Sequence, residues 1–147
     1  EKDSQRILDC KKVPENLKMR LFQVPIKVVF LSEEEKYAVM QGSVAFCLAS
    51  HFESLSIVVL ESLMMGRPVL VNGGCEVLRD HCILGQCGLW FHTADDFCAD
   101  VRYLLENPET YEIMRRNGRE YVRENYSWEA IVGKLRGLIE LVGQKNG

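Results

Sequence analysis

The chain has 147 residues, 47% of them hydrophobic and 27% charged, a balance that suits one packed domain and excludes a wholly disordered or fibrous chain. A formal net charge of -3 and a pI near 5.7 leave no general basic excess for a nucleic-acid backbone, so no nucleic-acid partner is expected. The apolar stretches at 44–49 and 57–60 fall far short of the roughly 20 residues that a transmembrane helix needs.

Residues 1–25 are polar and mixed, with Pro14 and Pro25 as breakers, and weak helices are read at 4–11 and 15–22. The β-branched apolar run at 26–31 reads as a strand buried on both faces. Ser32 and Glu35 form a Ser-x-x-Glu capping box for a helix that continues through Lys36, Val39 and Met40 and stops at Gly42. A second strand is expected at 44–48, followed by a polar connection over 50–55 and a strongly apolar helix over 56–65 that Gly66 ends. A third strand at 68–71 enters the loop Asn72, Gly73, Gly74, and a short helix at 76–81 leads to a fourth strand at 88–91. Beyond Asp95 the pattern turns helical: Phe97, Val101, Leu104 and Leu105 form one stripe, Pro108 restarts the chain into a helix through Tyr111, Met114, Gly118 and Val122, and Ser127 caps a last helix through Leu141. Short buried strands alternating with helices predict an α/β fold. The expectation is a Rossmann-like, doubly wound parallel sheet with helices on both faces over 26–147, preceded by a poorly defined segment at 1–25.

In such sheets ligands bind outside the carboxyl ends of the strands, which directs attention to the loop after Leu48. The helix that follows is apolar nearly all round, implying burial on most sides, yet it contains Glu61, and a buried carboxylate needs a partner. Together with Glu53 it flanks a helix N-terminus whose unpaired N–H groups and positive dipole end suit a phosphate. A sugar-nucleotide fits this pattern, with diphosphate on the amides of Leu55, Ser56 and Ile57 and sugar hydroxyls on the carboxylates. Spacing alone serves a plainer reading equally well, in which Glu53 is an exposed loop residue and Glu61 pairs with a buried cation such as Arg67. Gly73 and Gly74 are likewise accounted for by a turn and a helix start. His51 reads as polar surface, Trp90, Phe91 and Trp128 as core or interdomain packing, and the charge run at 33–36 as a solvated helix start. The six cysteines, at positions 10, 47, 75, 82, 87 and 98, read as reduced thiols of a cytoplasmic protein. Cys75, His81, Cys82, Cys87 and His92 cluster in sequence without a Cys-x-x-Cys pair, so no metal site is expected.

The stretch Ser50-x-x-Glu53-Ser54-Leu55-Ser56-x-x-x-Leu60-Glu61-Ser62-x-x-x-Gly66-Arg67-Pro68-Val69 resembles the E-x7-E signature of retaining GT-B glycosyltransferases of the family-4-like, group 1 kind. Gly73-Gly74-Cys75-Glu76, Gly85-Gln86-Cys87-Gly88-Leu89, Asn107-Pro108-Glu109, and Gly118-Arg119 leading to Tyr126-Ser127-Trp128 also resemble that family in order and spacing. The resemblance implies the C-terminal, donor-binding half of a GT-B fold. It places Glu61 on the nucleotide ribose, Glu53 beside the donor sugar near the reacting carbon, the amides of Leu55, Ser56 and Ile57 on the diphosphate, and Gly73 and Gly74 where the backbone approaches closely. It further implies a UDP- or GDP-linked sugar as substrate, no cofactor or metal ion, and an acceptor sugar or glycolipid bound through another domain. The full-length protein would be cytoplasmic and open to a peripheral membrane location.

Two features depart from the family. Its second domain opens with two strand-helix units whose loops supply an Arg and a Lys to the phosphates, and residues 1–25 do not resemble them. The Gly-containing turn that commonly precedes the capped helix, at the loop that helps hold the base, is contracted here to Phe30-Leu31-Ser32. An enzyme half, inactive alone and open to self-association through bare sheet edges, is therefore expected, with a nucleotide-sugar-binding or regulatory module as the alternative. A receiver-like or dinucleotide-binding domain is disfavoured. Acidic residues do not end the first and third strands, and no Gly-x-Gly-x-x-Gly follows the first.

Overall fold

The computed structural model describes residues 30–145. The helices expected at 4–11 and 15–22, and residues 26–29 of the strand expected at 26–31, lie outside the described residues. Phe30 and Leu31 are exposed and belong to no strand.

The first helix, α1 (Glu33–Gly42), starts at the expected capping box: Ser32 Oγ accepts from the Glu35 amide, and the Glu35 carboxylate accepts from the Ser32 amide. Strand β1 (Phe46–Leu48) is shorter than the apolar run suggests, and Val44 at its entrance is exposed. Helix α2 (Ile57–Met64) closes with Gly66 at φ 67°, where the Gly66 amide donates to Leu63 O and the Arg67 amide to Ser62 O. This pair of bonds turns the chain directly into β2 (Val69–Asn72). The next helix, α3 (Glu76–Gly85), runs four residues past the expected stop at His81. Leu78, Cys82 and Gly85 recur at i, i+4 and i+7 and are all buried, a helical stripe that small residues made hard to recognise. After β3 (Gly88–Phe91), Thr93 and Asp96 form a second reciprocal capping box for α4 (Ala94–Glu106). Pro108 opens α5 (Pro108–Tyr126), and α6 (Trp128–Lys145) extends beyond the expected end at Leu141. Among the described residues no helix is long and apolar enough to cross a membrane.

The three strands pair in parallel in the order β1-β2-β3, with Val69 opposite both Phe46 and Gly88. A side chain at Gly88 would collide with the Val69 carbonyl, so the glycine permits this pairing. Alternation along β2 divides the sheet into two faces. Val69 and Val71 join Val59, Leu60 and Leu63 of α2, Leu78 and Cys82 of α3, and Tyr121 and Val122 of α5 in the main core. Leu70, with Cys47, instead lines the other face toward Phe97, Val101 and Leu104 of α4. Helices thus cover both faces of a parallel sheet, the α/β Rossmann-like arrangement expected.

On α4, Asp100 has a buried oxygen, Oδ2, with no hydrogen-bond partner. Burial, and secondarily the charge of Asp96, push its carboxyl up to about 6. Because this folded-state value lies above the unfolded value of about 4, the native state holds a proton that the unfolded chain has lost within that window. Stability contributed by this group is present below pH 4 and is lost as pH rises through 6. In urea titrations, the midpoint difference between Asp100→Asn and the parent chain should be smallest at pH 4 and grow in the variant's favour to pH 7; a pH-independent difference would contradict the assignment.

Candidate functional site

At the carboxyl end of the sheet, the loops that leave the three strands are tied together. Asn72, the last residue of β2, donates through Nδ2 to Ser50 O (3.3 Å) and to His51 Nδ1 (3.1 Å), while its Oδ1 accepts from the Gly74 amide (2.9 Å). The Gly73 amide donates to Phe91 O at 2.8 Å. A Cβ on Gly73 would lie 2.7–2.8 Å from the His92 and Trp90 side chains, whereas Gly74 is exposed and meets only Asn72 nearby. Local packing therefore already requires the first glycine. Arg79, in the first turns of α3, donates to Gly73 O at 3.4 Å and brings a guanidinium to this loop.

The loop from β1 ends at Ser56, which caps α2 in the left-handed region at φ 55° and ψ 68°. Its hydroxyl is buried without a partner and makes no capping bond, although its carbonyl accepts from the amides of Val59 and Leu60. The first amides of any helix lack acceptors in their own helix, and those of α2 follow this strained residue. Ile57, in that first turn, is 66% exposed, so the helix expected to be buried on most sides presents its N-terminal end to solvent. Glu53, in the loop, is half-buried.

Glu61 is held by α1. Lys36 Nζ donates to both of its carboxylate oxygens at 3.1 Å, and Tyr37 OH donates to Oε1 at 3.0 Å. Lys36 also bonds Glu33, so the charge run at 33–36 forms a bridge to α2 rather than a merely solvated helix start. Hydrogen bonds to Glu33 first and Glu61 second hold the Lys36 ammonium well above its ordinary pKa, and the bond to Glu61 raises the Tyr37 phenol. Arg67, the cation suggested for Glu61 by spacing, instead points to Tyr111 OH at 3.4 Å. Tertiary docking of α1 supplies a nearer partner. Glu61 and Ile57 line one groove of about 320 Å³ with Tyr37, Leu60, Met64 and Tyr126; Glu53, Gly73 and Gly74 lie outside its lining.

His81 escapes recognition in the sequence because its role depends on residues 26 and 40 positions away. It is 3% exposed, with Nε2 2.8 Å from Leu55 O and Nδ1 3.0 Å from Tyr121 OH. Tyr121 OH lies in turn 3.2 Å from Tyr126 OH, and burial followed by this contact raises the Tyr121 pKa. The buried thiols have a different character: burial pushes Cys87 up to about 12 and Cys82 higher still, so neither is a ready nucleophile. Among the described residues no group of three or more His, Cys, Asp or Glu is placed to hold a metal ion.

The family model of the glycosyl transferases group 1 matches residues 20–121, which contain both glutamates, the α2 N-terminus and His81. The chain belongs to the group 1 glycosyl transferases. Relatives of this glycosyltransferase chain include a sulfoquinovosyl transferase of Arabidopsis thaliana, 34% identical over 108 residues that cover 71% of this chain and 21% of the relative. A glycogen synthase of Mycobacterium tuberculosis is 28% identical over 78% of this chain and 28% of its own length. An alpha-D-kanosaminyltransferase of Streptomyces kanamyceticus is 31% identical over 78% of this chain and 30% of its own length. The chain therefore spans less than a third of each of these relatives.

Within this glycosyltransferase chain, Ser56→Gly removes both a left-handed non-glycine residue, which costs about 1–2 kcal/mol, and an unsatisfied hydroxyl. The extra entropy of an unfolded glycine offsets about 0.4–1 kcal/mol of that gain. The variant should be more stable by about 1 kcal/mol in urea unfolding; equal or lower stability would show that the Ser56 conformation carries no strain.

Proposed function

We propose that this chain is the donor-binding part of a retaining glycosyltransferase that moves a sugar from a nucleotide-sugar to an acceptor hydroxyl, and that it does not transfer sugar alone. The observation that carries the reading is the α2 N-terminus, exposed behind a left-handed Ser56, with Glu61 one turn further along the same helix. Diphosphate would rest on the amides of Leu55, Ser56 and Ile57, where unpaired N–H groups and the helix dipole favour negative charge. Arg79, at the neighbouring loop, would add compensating charge. Glu53 would face the donor sugar and help stabilise the oxocarbenium-like charge at its reacting carbon. Gly73 and Gly74 would let the backbone approach the donor, and no metal ion is invoked.

Ribose at Glu61 requires an exchange of partners. A carboxylate offers about four lone-pair sites, and Lys36 and Tyr37 occupy three, so a ribose diol would displace one of them. Lys36 would keep Glu33 through that exchange. Since this chain spans less than a third of the relatives named above, an acceptor sugar or glycolipid would bind to another part of a larger protein. The donor would be UDP- or GDP-linked. The second reading is a nucleotide-sugar-binding or regulatory module that transfers nothing; its regulatory form fits a Glu61 that Lys36 and Tyr37 already hold as the anchor of α1.

Calorimetric titration with UDP- and GDP-sugars tests the donor site. Saturable binding is expected, weakened about ten- to a hundredfold by Glu61→Ala, the equivalent of losing hydrogen bonds to a charged group. Unchanged affinity in a folded but less stable variant would make Glu61 solely an anchor for α1. A sugar-transfer assay on the chain joined to its acceptor-binding portion separates enzyme from module.

A further inference from the structure

The carbonyl of Leu55 and the amide of Ser56 belong to one planar trans peptide, so they point in opposite directions. Whatever grips the carbonyl from inside therefore aims the amide outward. That grip comes from His81 on α3, across 26 residues of sequence, through a 2.8 Å contact. Leu55 O can only accept, so His81 Nε2 must carry the proton. In a neutral imidazole Nδ1 is then an acceptor, which makes Tyr121 OH the donor across 3.0 Å. The Tyr121 oxygen is left to accept from Tyr126 OH at 3.2 Å. With a neutral imidazole, one acceptor-only carbonyl thus sets the direction of each bond from Tyr126 to Leu55. Packing holds these groups in place: the three rings meet edge to face with centroids 5.5–5.9 Å apart, and His81 is 3% exposed.

We infer that His81, Tyr121 and Tyr126 form a positioning relay that sets the Leu55-Ser56 peptide, directing the Ser56 amide into the loop read above as the diphosphate site; the inference rests on that reading. These residues need not touch the donor. The left-handed Ser56, which has no capping bond of its own, explains why an outside clamp is useful. Without the clamp, the peptide is free to relax toward a less strained conformation and turn its amide away. Tyr126 also lines the groove that contains Glu61, so the relay ends beside the other proposed donor contact.

The test uses the ¹⁵N-labelled full chain. Imidazole ¹⁵N shifts should report the Nε2–H tautomer of His81 in the parent protein. The Val59 and Leu60 amides donate to Ser56 O and so report on how firmly this peptide is held. His81→Phe should speed hydrogen exchange at those two amides about tenfold, the equivalent of losing one hydrogen bond, and weaken UDP- or GDP-sugar affinity by about fivefold to tenfold. His81→Gln, whose side-chain amide can donate to Leu55 O, should restore both. Should His81→Phe fail to fold, Tyr121→Phe carries the test: it removes the donor that seats Nδ1 and should speed exchange at the same two amides, while Leu55 O keeps the proton on Nε2. An Nδ1–H tautomer, Val59 and Leu60 amides indifferent to His81→Phe, or a folded His81→Gln that restores nothing would overturn the relay. If the amides respond as stated but the parent chain binds neither donor, the relay stands as a loop-positioning device and the donor-site reading fails.

Discussion

Burial of α2 between the sheet and α5 is the constraint from which the site geometry follows. Val59 and Leu63 are fully buried, and each contributes on the order of 2 kcal/mol by leaving water. Gly118 lets α5 approach closely, since a Cβ there would meet the Leu63 side chain at 3.0 Å. Rotation of α2 would bring these residues into water and Glu61 into the core. The helix is therefore fixed about its axis, and its N-terminus stands at the carboxyl end of the sheet because parallel strands send their outgoing loops there.

Polar groups then attach the less securely packed parts to this fixed helix. Lys36 and Tyr37 fasten α1 to Glu61, a carboxylate too buried to leave unpaired and too exposed to be pure core. His81 fastens the loop that precedes α2. The same α2 thus receives α1 on its charged side and the β1 loop at its first turn. This division separates stability from function: apolar contacts locate the helix, whereas a few directional bonds decide which of its polar groups remain available to a ligand.

Much of the architecture was legible in the sequence because its signals are local. Ser32 and Glu35 satisfy each other three residues apart, Gly66 adopts a positive φ immediately after its helix, and the apolar run at β2 needs two covered faces. The continuation of α3 beyond His81 was less visible, since Cys82 and Gly85 are buried by shape rather than by strong hydrophobicity. Glu61 could be singled out as a charge on an apolar helix, but its partner could not be chosen: Arg67 is near in sequence, whereas Lys36 is near in space. Neither the left-handed Ser56 nor the role of His81 has a local signature.

By itself, the sequence determined the alternation of strands and helices, the α/β class and the kinship carried by an ordered series of motifs. These depend on periodicity, caps and turn residues, which act over a few positions. Tertiary structure alone decided which cation meets Glu61, how the Leu55-Ser56 peptide faces, and which groups meet the two nitrogens of His81. Those outcomes are set by bonds between elements 24 to 40 residues apart, and only packing brings such groups within reach of one another.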